Sequence, residues 1–205
     1  MSASDFWKWF EENNTKYLFL NDVEEDVKKQ LLEELLEALQ EFSEHLFYEI
    51  GHHPDRSEQE LVITANGDIN YFDKVEELIA AAPEIKDWKL IAFKPALGFE
   101  FSIDYNGLNF DPSKTWFQPL ELEERPLDLG IRVCYPDYDS EREEDFIGGT
   151  FLMLDAGLGE KTTALDIKYL EVDKMPVDPE QEGLLPLKEL ADYINWLKEE
   201  RVRNN

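Results

Sequence analysis

Leu61-Val62-Ile63-Thr64-Ala65-Asn66-Gly67-Asp68, followed by a helix-period stretch from Phe72 to Ala82 and then Trp88-Lys89-Leu90-Ile91-Ala92-Phe93, is the segment whose reading decides the fold. A short unbroken apolar run is what a strand covered on both faces requires. Asn66-Gly67-Asp68 is turn chemistry, since Asn and Gly tolerate positive φ. Phe72, Val75, Leu78, Ile79 and Ala82 then line one helical face before Pro83 stops the helix. The segment predicts strand, helix, strand.

Working outward, His45–Ile50 reads as a strand pairing with Leu61–Thr64 through the loop Gly51-His52-His53-Pro54-Asp55. A second strand–helix–strand unit is expected between Leu127 and Val172. Leu127, Leu129, Ile131 and Val133 alternate, a helix runs through Phe146, Phe151, Leu154 and Leu158 to Gly159, and Leu165–Val172 alternates again. Gly148-Gly149 inside that helix costs about 1 kcal/mol per glycine relative to Ala, which close packing would explain. Between the units, Phe99–Asp104 alternates as a strand, Asn106-Gly107 marks a tight turn, and Trp116–Leu122 reads as a further strand limited by Pro119.

The ends are helical. Phe6-Trp7-Lys8-Trp9-Phe10 forms an aromatic helix face expected to dock on the protein's own core, with Ser4 as N-cap. Asp22 and Glu25 have capping-box spacing ahead of a helix whose stripe is Val27, Leu31, Leu35, Leu39 and Phe42, widened by Leu32 and Leu36. A Pro- and acid-rich connector from Met175 to Pro186 precedes a last helix through Leu187, Leu190, Ile194 and Leu197, and Arg201–Asn205 is expected to fray. The fold class is therefore α+β: a mixed or antiparallel sheet with helices packed on one face, ferredoxin-like strand–helix–strand units, an inserted hairpin and extra terminal helices. One domain over 1–205 is expected, with N-terminal helices at 1–44, a sheet-and-helix core at 45–173, and a connector and helix at 174–205.

Composition narrows the function classes. The 205 residues include 26 aromatics (13 Phe, 5 Trp, 8 Tyr), enough for a packed interior. Against 20 Lys and Arg stand 47 Asp and Glu, a formal charge of −27. Such a surface repels nucleic-acid phosphates and anionic lipid, and favours cationic partners. A single cysteine, Cys134, excludes an internal disulfide and any CxxC motif. No window approaches the roughly 18–20 apolar residues of a membrane span. A cytoplasmic protein is expected.

The chemistry-bearing motifs are few. His52-His53, with Asp55 or Glu49, lacks HExxH spacing, so no metal is expected there. Cys134 on a strand reads as a small buried hydrophobe. There is no GxSxG, GxGxxG or GxxxxGK[ST], so no catalytic residue and no cofactor is assigned. The acidic run Asp137, Asp139, Glu141, Glu143, Glu144 and Asp145 opens like a calcium loop but has Arg142 where that loop needs glycine. These six acids are candidates for partner binding, or simply complement a helix N-terminus.

The opening Phe6-Trp7-x-Trp9-Phe10, the turn Val62-Ile63-Thr64-Ala65-Asn66-Gly67, the step Ala82-Pro83…Trp88 and the segment Leu154-Asp155-x-x-Leu158-Gly159-Glu160 resemble a family of small, acidic, intracellular bacterial proteins without an established activity. These are motifs of packing and turn geometry, so the resemblance implies no catalytic residues. The leading expectation is an acidic, non-enzymatic protein that binds a basic protein partner, with a toxin-neutralising, immunity-like role as one concrete version. The alternative is a small-molecule enzyme or sensor with a pocket lined by Trp88, Phe93 and Tyr169. A third expectation is self-association through the aromatic N-terminal helix.

Overall fold

The computed structural model describes residues 1–52, 57–121 and 128–203. Its contacts divide the chain into two compact units, Met1–Lys94 and Pro95–Asn205. The architecture is α+β in both, and no helix among the described residues is long and apolar enough to cross a membrane.

In the first unit, α1 (Ala3–Asn13) and α2 (Glu25–Gln40) precede β1 (Phe47–His52), β2 (Gln59–Thr64), α3 (Phe72–Ala80) and β3 (Trp88–Ala92). The sheet has the order β1-β2-β3, with β1 antiparallel and β3 parallel to β2. Leu61, Val62, Ile63 and Thr64 are all buried, which accounts for the unbroken apolar run of this central strand. Asn66 (φ 51°) and Gly67 (φ 82°) make the expected turn, and the Thr64 hydroxyl accepts the Asn66 N–H.

The aromatic face of α1 is inside the unit: Phe6, Trp7 and Phe10 are buried, and the Trp7 indole N–H donates to the Leu78 carbonyl at 2.7 Å. Self-association through this face loses its basis, because the face is already used. Its cap is Ser2, not Ser4. The Ser2 hydroxyl accepts the Asp5 N–H while the Asp5 carboxylate accepts the Ser2 N–H. The expected Asp22 cap also moves, because Asp22 closes a turn with its N–H on the Phe19 carbonyl. Helix α2 instead begins after Glu24, with no side-chain cap.

The second unit contains the hairpin β4 (Ile103–Tyr105) and β5 (Leu108–Phe110), then β6 (Trp116–Glu121), β7 (Leu129–Tyr135), α4 (Glu143–Leu158), α5 (Glu160–Asp166), β8 (Ile167–Lys174), β9 (Leu185–Pro186) and α6 (Leu190–Arg203). Its main sheet has the order β8-β7-β6-β9, with β7 and β8 parallel and the other pairs antiparallel. Each strand–helix–strand unit thus has its own sheet, with its two parallel strands side by side. Pro119 lies on β6 beyond the reach of β9, where among the described residues it has a strand on one side only.

Three expectations are corrected in this unit. The strand expected over Phe99–Asp104 shortens to Ile103–Tyr105, because the chain before it is held by α4: Leu97 and Gly98 donate to the Ala156 and Gly157 carbonyls. Leu165 and Asp166 belong to the short helix α5, not to the closing strand, which starts at Ile167. Gly159 (φ 81°) ends one helix and opens the next, and the Thr163 hydroxyl ties α5 back to the Leu154 carbonyl at 3.0 Å. Arg201–Arg203 stay helical, with Arg203 paired to Glu199 and Glu200. Leu122, Leu127, Asn204 and Asn205 lie outside the described residues.

The interior of the second unit gathers Phe110, Phe117, Ile131, Val133, Met153 and Ile194 with their neighbours. The paired glycines of α4 explain how the hairpin joins it. A Cβ on Gly149 would stand 2.1 Å from the Phe110 ring, and one on Gly157 2.2 Å from the Phe99 ring. Beside them the Tyr135 hydroxyl and the Thr150 hydroxyl share a hydrogen bond of 2.6 Å, both buried.

Gly149→Ala sets a helix-propensity gain of about 1 kcal/mol against an overpacking cost of up to about 3 kcal/mol. Phe110 is fully enclosed, so the cost wins. The variant is expected to lose about 1–2 kcal/mol in chemical denaturation, whereas Gly51→Ala, with nothing within 4 Å of the new atom, stays near wild type. A Gly149→Ala protein as stable as wild type would refute this account of the glycines.

Candidate functional site

An open groove of about 1080 Å³ lies in the first unit, between α2, the turn from Tyr17 to Asn21, and β1. Its position follows from the sequence of α2. The apolar stripe is wider than one packed face: Leu35 and Leu39 are buried, Leu31, Leu32 and Leu36 are half-buried, and Val27 is 46% exposed. Leu32 and Leu36 become part of the groove lining. Opposite them, β1 contributes Phe47 (37% exposed) and Ile50. Tyr48 joins the two walls, its hydroxyl donating to the Leu32 carbonyl at 2.6 Å.

The electrostatics of the lining are mixed. Glu25, Asp26, Glu33 and Glu49 face Lys28 and Lys29, with Lys29 paired to Glu33 at 3.8 Å and Glu49 paired to Lys94 at 3.6 Å. Tyr17 lines the groove with its ring 1% exposed, and its hydroxyl has no hydrogen-bond partner among the described residues. Burial, with a smaller contribution from nearby Glu34, pushes that phenol up to about 12. It remains a neutral donor at physiological pH. The reading of the sequence missed this groove, although the width added by Leu32 and Leu36 was its signal.

The acidic run is real as a surface, but its members differ in role. Asp139 accepts the Glu141 N–H and caps the turn that leads into α4. Asp145 is held by Arg142 at 2.8 Å and by the Asn106 side chain at 2.7 Å, so these hydrogen bonds keep its carboxyl below the usual range. Asp137, Glu141, Glu143 and Glu144 are exposed. Five of the six, Asp139 included, are thus open to solvent, and Asp145 ties the hairpin turn to α4.

Trp88, Phe93 and Tyr169 stand in different settings. Phe93 is buried, its ring 4.7 Å from that of Phe72 and its N–H on the Ile63 carbonyl. Tyr169 belongs to the other unit, 46% exposed, with its hydroxyl on Glu171 at 2.9 Å. Trp88 lines a second open hollow of about 1060 Å³ in the first unit, together with Ile79, Pro83 and Lys86. Its buried indole N–H has no acceptor among the described residues.

Of the histidines, His45 stacks on Tyr71 with centroids 3.8 Å apart, and His52 lines the groove. His53 and Asp55 lie outside the described residues. Among the described residues no three His, Cys, Asp or Glu side chains gather as a metal would need.

Cys134 is buried on β7, and burial, reinforced by Asp173, pushes its thiol up to about 11. The thiolate is the reactive form, so a raised pKa and burial both slow modification. Labelling with a disulfide reagent at pH 8 is expected to be slow in the native protein and to reach one thiol per chain on denaturation. Rapid native labelling would place Cys134 in an accessible, activated setting.

Comparison with known proteins leaves the geometry to speak alone: no family model, no curated protein and no solved structure matches this chain.

Proposed function

We propose that the protein is a non-enzymatic interaction protein whose acidic surface binds a cationic protein partner, with a toxin-neutralising role of the immunity type as one concrete form. The observation that carries this reading is the surplus of carboxylates, 47 against 20 basic side chains. Many of the bases are already offset by their own neighbours: Lys16 by Glu34, Lys74 by Glu77, Lys114 by Asp111, Arg132 by Glu171 and Lys198 by Asp166. What remains is a field of one sign, which accelerates encounter with an opposite charge and discourages anionic partners. The exposed acids Glu141, just before α4, and Glu143 and Glu144 in its first turn contribute to that field.

A second reading, a small-molecule enzyme or sensor, draws support from the hollow beside Trp88. An indole N–H that is buried and unmatched is a place where a ligand acceptor gains a hydrogen bond. The charge surplus has no role in that reading, which is why it comes second.

Crosslinked capture from host lysate at low salt, followed by a high-salt wash, tests the proposal. A single basic protein is expected, held at low salt and released near 1 M, where the Debye length has fallen from about 10 Å (at 0.1 M) to about 3 Å. With that partner in hand, replacing Glu141, Glu143 and Glu144 together by Gln is expected to slow association several-fold while leaving dissociation nearly unchanged. Capture of an acidic partner, or binding indifferent to salt, would remove the proposal.

A further inference from the structure

We propose that the groove between α2 and β1 seats an extended segment of the partner, alternating basic and apolar residues, which joins β1 as an added strand. This inference rests on the cationic-partner reading and gives it a place. The first support is the edge itself. Strand β1 has β2 on one side and no strand on the other among the described residues, so half of its backbone donors and acceptors face outward. Folded proteins guard such an edge with lysine, proline, a bulge or a covering element. Phe47-Tyr48-Glu49-Ile50-Gly51-His52 contains neither lysine nor proline, and its register with β2 is unbroken over all six residues.

The second support is the match between the groove and a strand's two faces. An added strand alternates its side chains with period two. The lining offers both kinds of contact that such a strand needs, apolar from Leu32, Leu36 and Ile50 and carboxylate from Glu25, Asp26 and Glu33, with Lys28 and Lys29 among them.

Charge selects the occupant. The same edge in a second copy would satisfy the backbone equally well, but it would bring two chains of −27 together. A basic segment gains where a second copy loses.

The test uses the full chain and a fluorescent eight-residue peptide alternating Lys and Val, with binding read by anisotropy at low and high salt. A fully N-methylated version keeps every side chain but has no backbone donors. The unmodified peptide is expected to bind at low salt, to weaken with added salt, and to lose about tenfold or more in affinity on N-methylation. Ile50→Lys, checked for folding by circular dichroism, is expected to weaken binding by about tenfold as well.

Equal affinity for both peptides would overturn strand addition while leaving a cationic partner in place. Binding of neither peptide at low salt would overturn this proposal, and the cationic-partner reading would still be decided by the capture experiment. Sedimentation showing a dimer that Ile50→Lys dissolves would assign the edge to a second copy and overturn the proposal. Should Ile50→Lys fail to fold, the two peptides on the unaltered chain still decide it.

Discussion

The constraint on which the structure depends is that a chain of −27 must close two interiors while leaving its carboxylates in water. Self-repulsion on this scale opposes compaction, and burying an unpaired carboxylate would cost more still. Aromatic burial supplies the opposing force. Phe6, Trp7, Phe10 and Tyr17 are enclosed in the first unit, and Phe110, Phe117 and Phe146 in the second. Among the described residues Glu160 is the one buried acid. Other acids stabilise from the surface: Asp5, Asp68, Asp111 and Asp139 each accept a backbone N–H at the start of a helix or turn.

In the second unit this force is applied at unusually short range. Gly149 and Gly157 let Phe110 and Phe99 lie directly on the backbone of α4, so the hairpin and the chain before it pack on a helix without an intervening layer of side chains. The same contact draws Leu97 and Gly98 into hydrogen bonds with the end of α4. Two weak helix positions are thus exchanged for two enclosed aromatic rings. At about 1 kcal/mol per glycine against roughly 1.5–3 kcal/mol per buried aromatic, the balance favours the close approach.

These terms also explain what could be read from the sequence. The strand at Leu61–Thr64 was legible because burial on both faces leaves an unbroken apolar run, the helix from Phe72 because Phe72, Val75 and Leu78 recur at helical spacing, and Asn66-Gly67 and Asn106-Gly107 because positive φ selects those residues. Helix α5 was hidden because Leu165 and Ile167, one on each side of a helix–strand junction, imitate alternation. The strand expected at Phe99 failed for a tertiary reason, since local alternation carries no information about the carbonyls of α4. The acidic run was visible as a run, but not that Asp139 caps its own turn and Asp145 ties the hairpin turn to α4. Trp88, Phe93 and Tyr169 were grouped by residue type alone, and residue type says nothing of which sheet a strand joins.

Two acidic features remain, and they suit different stages of one encounter. Glu141, Glu143 and Glu144 lie exposed on a helix start, where charge acts at a distance but provides no apolar surface to hold a partner. The groove has the reverse balance. Its lining sets four carboxylates, Glu25, Asp26, Glu33 and Glu49, against Lys28 and Lys29, and it combines exposed apolar side chains with a strand edge that has no neighbouring strand among the described residues. Long-range attraction raises the rate of encounter, whereas buried apolar contact and backbone hydrogen bonds set how long a complex lasts. A surface that only attracts would bind every cation weakly, and an edge that only pairs would recruit any free strand, its own copy included. Placing an edge without lysine or proline on a chain this negative lets the charge do the guarding that side chains perform on other edges, while admitting a strand of the opposite sign.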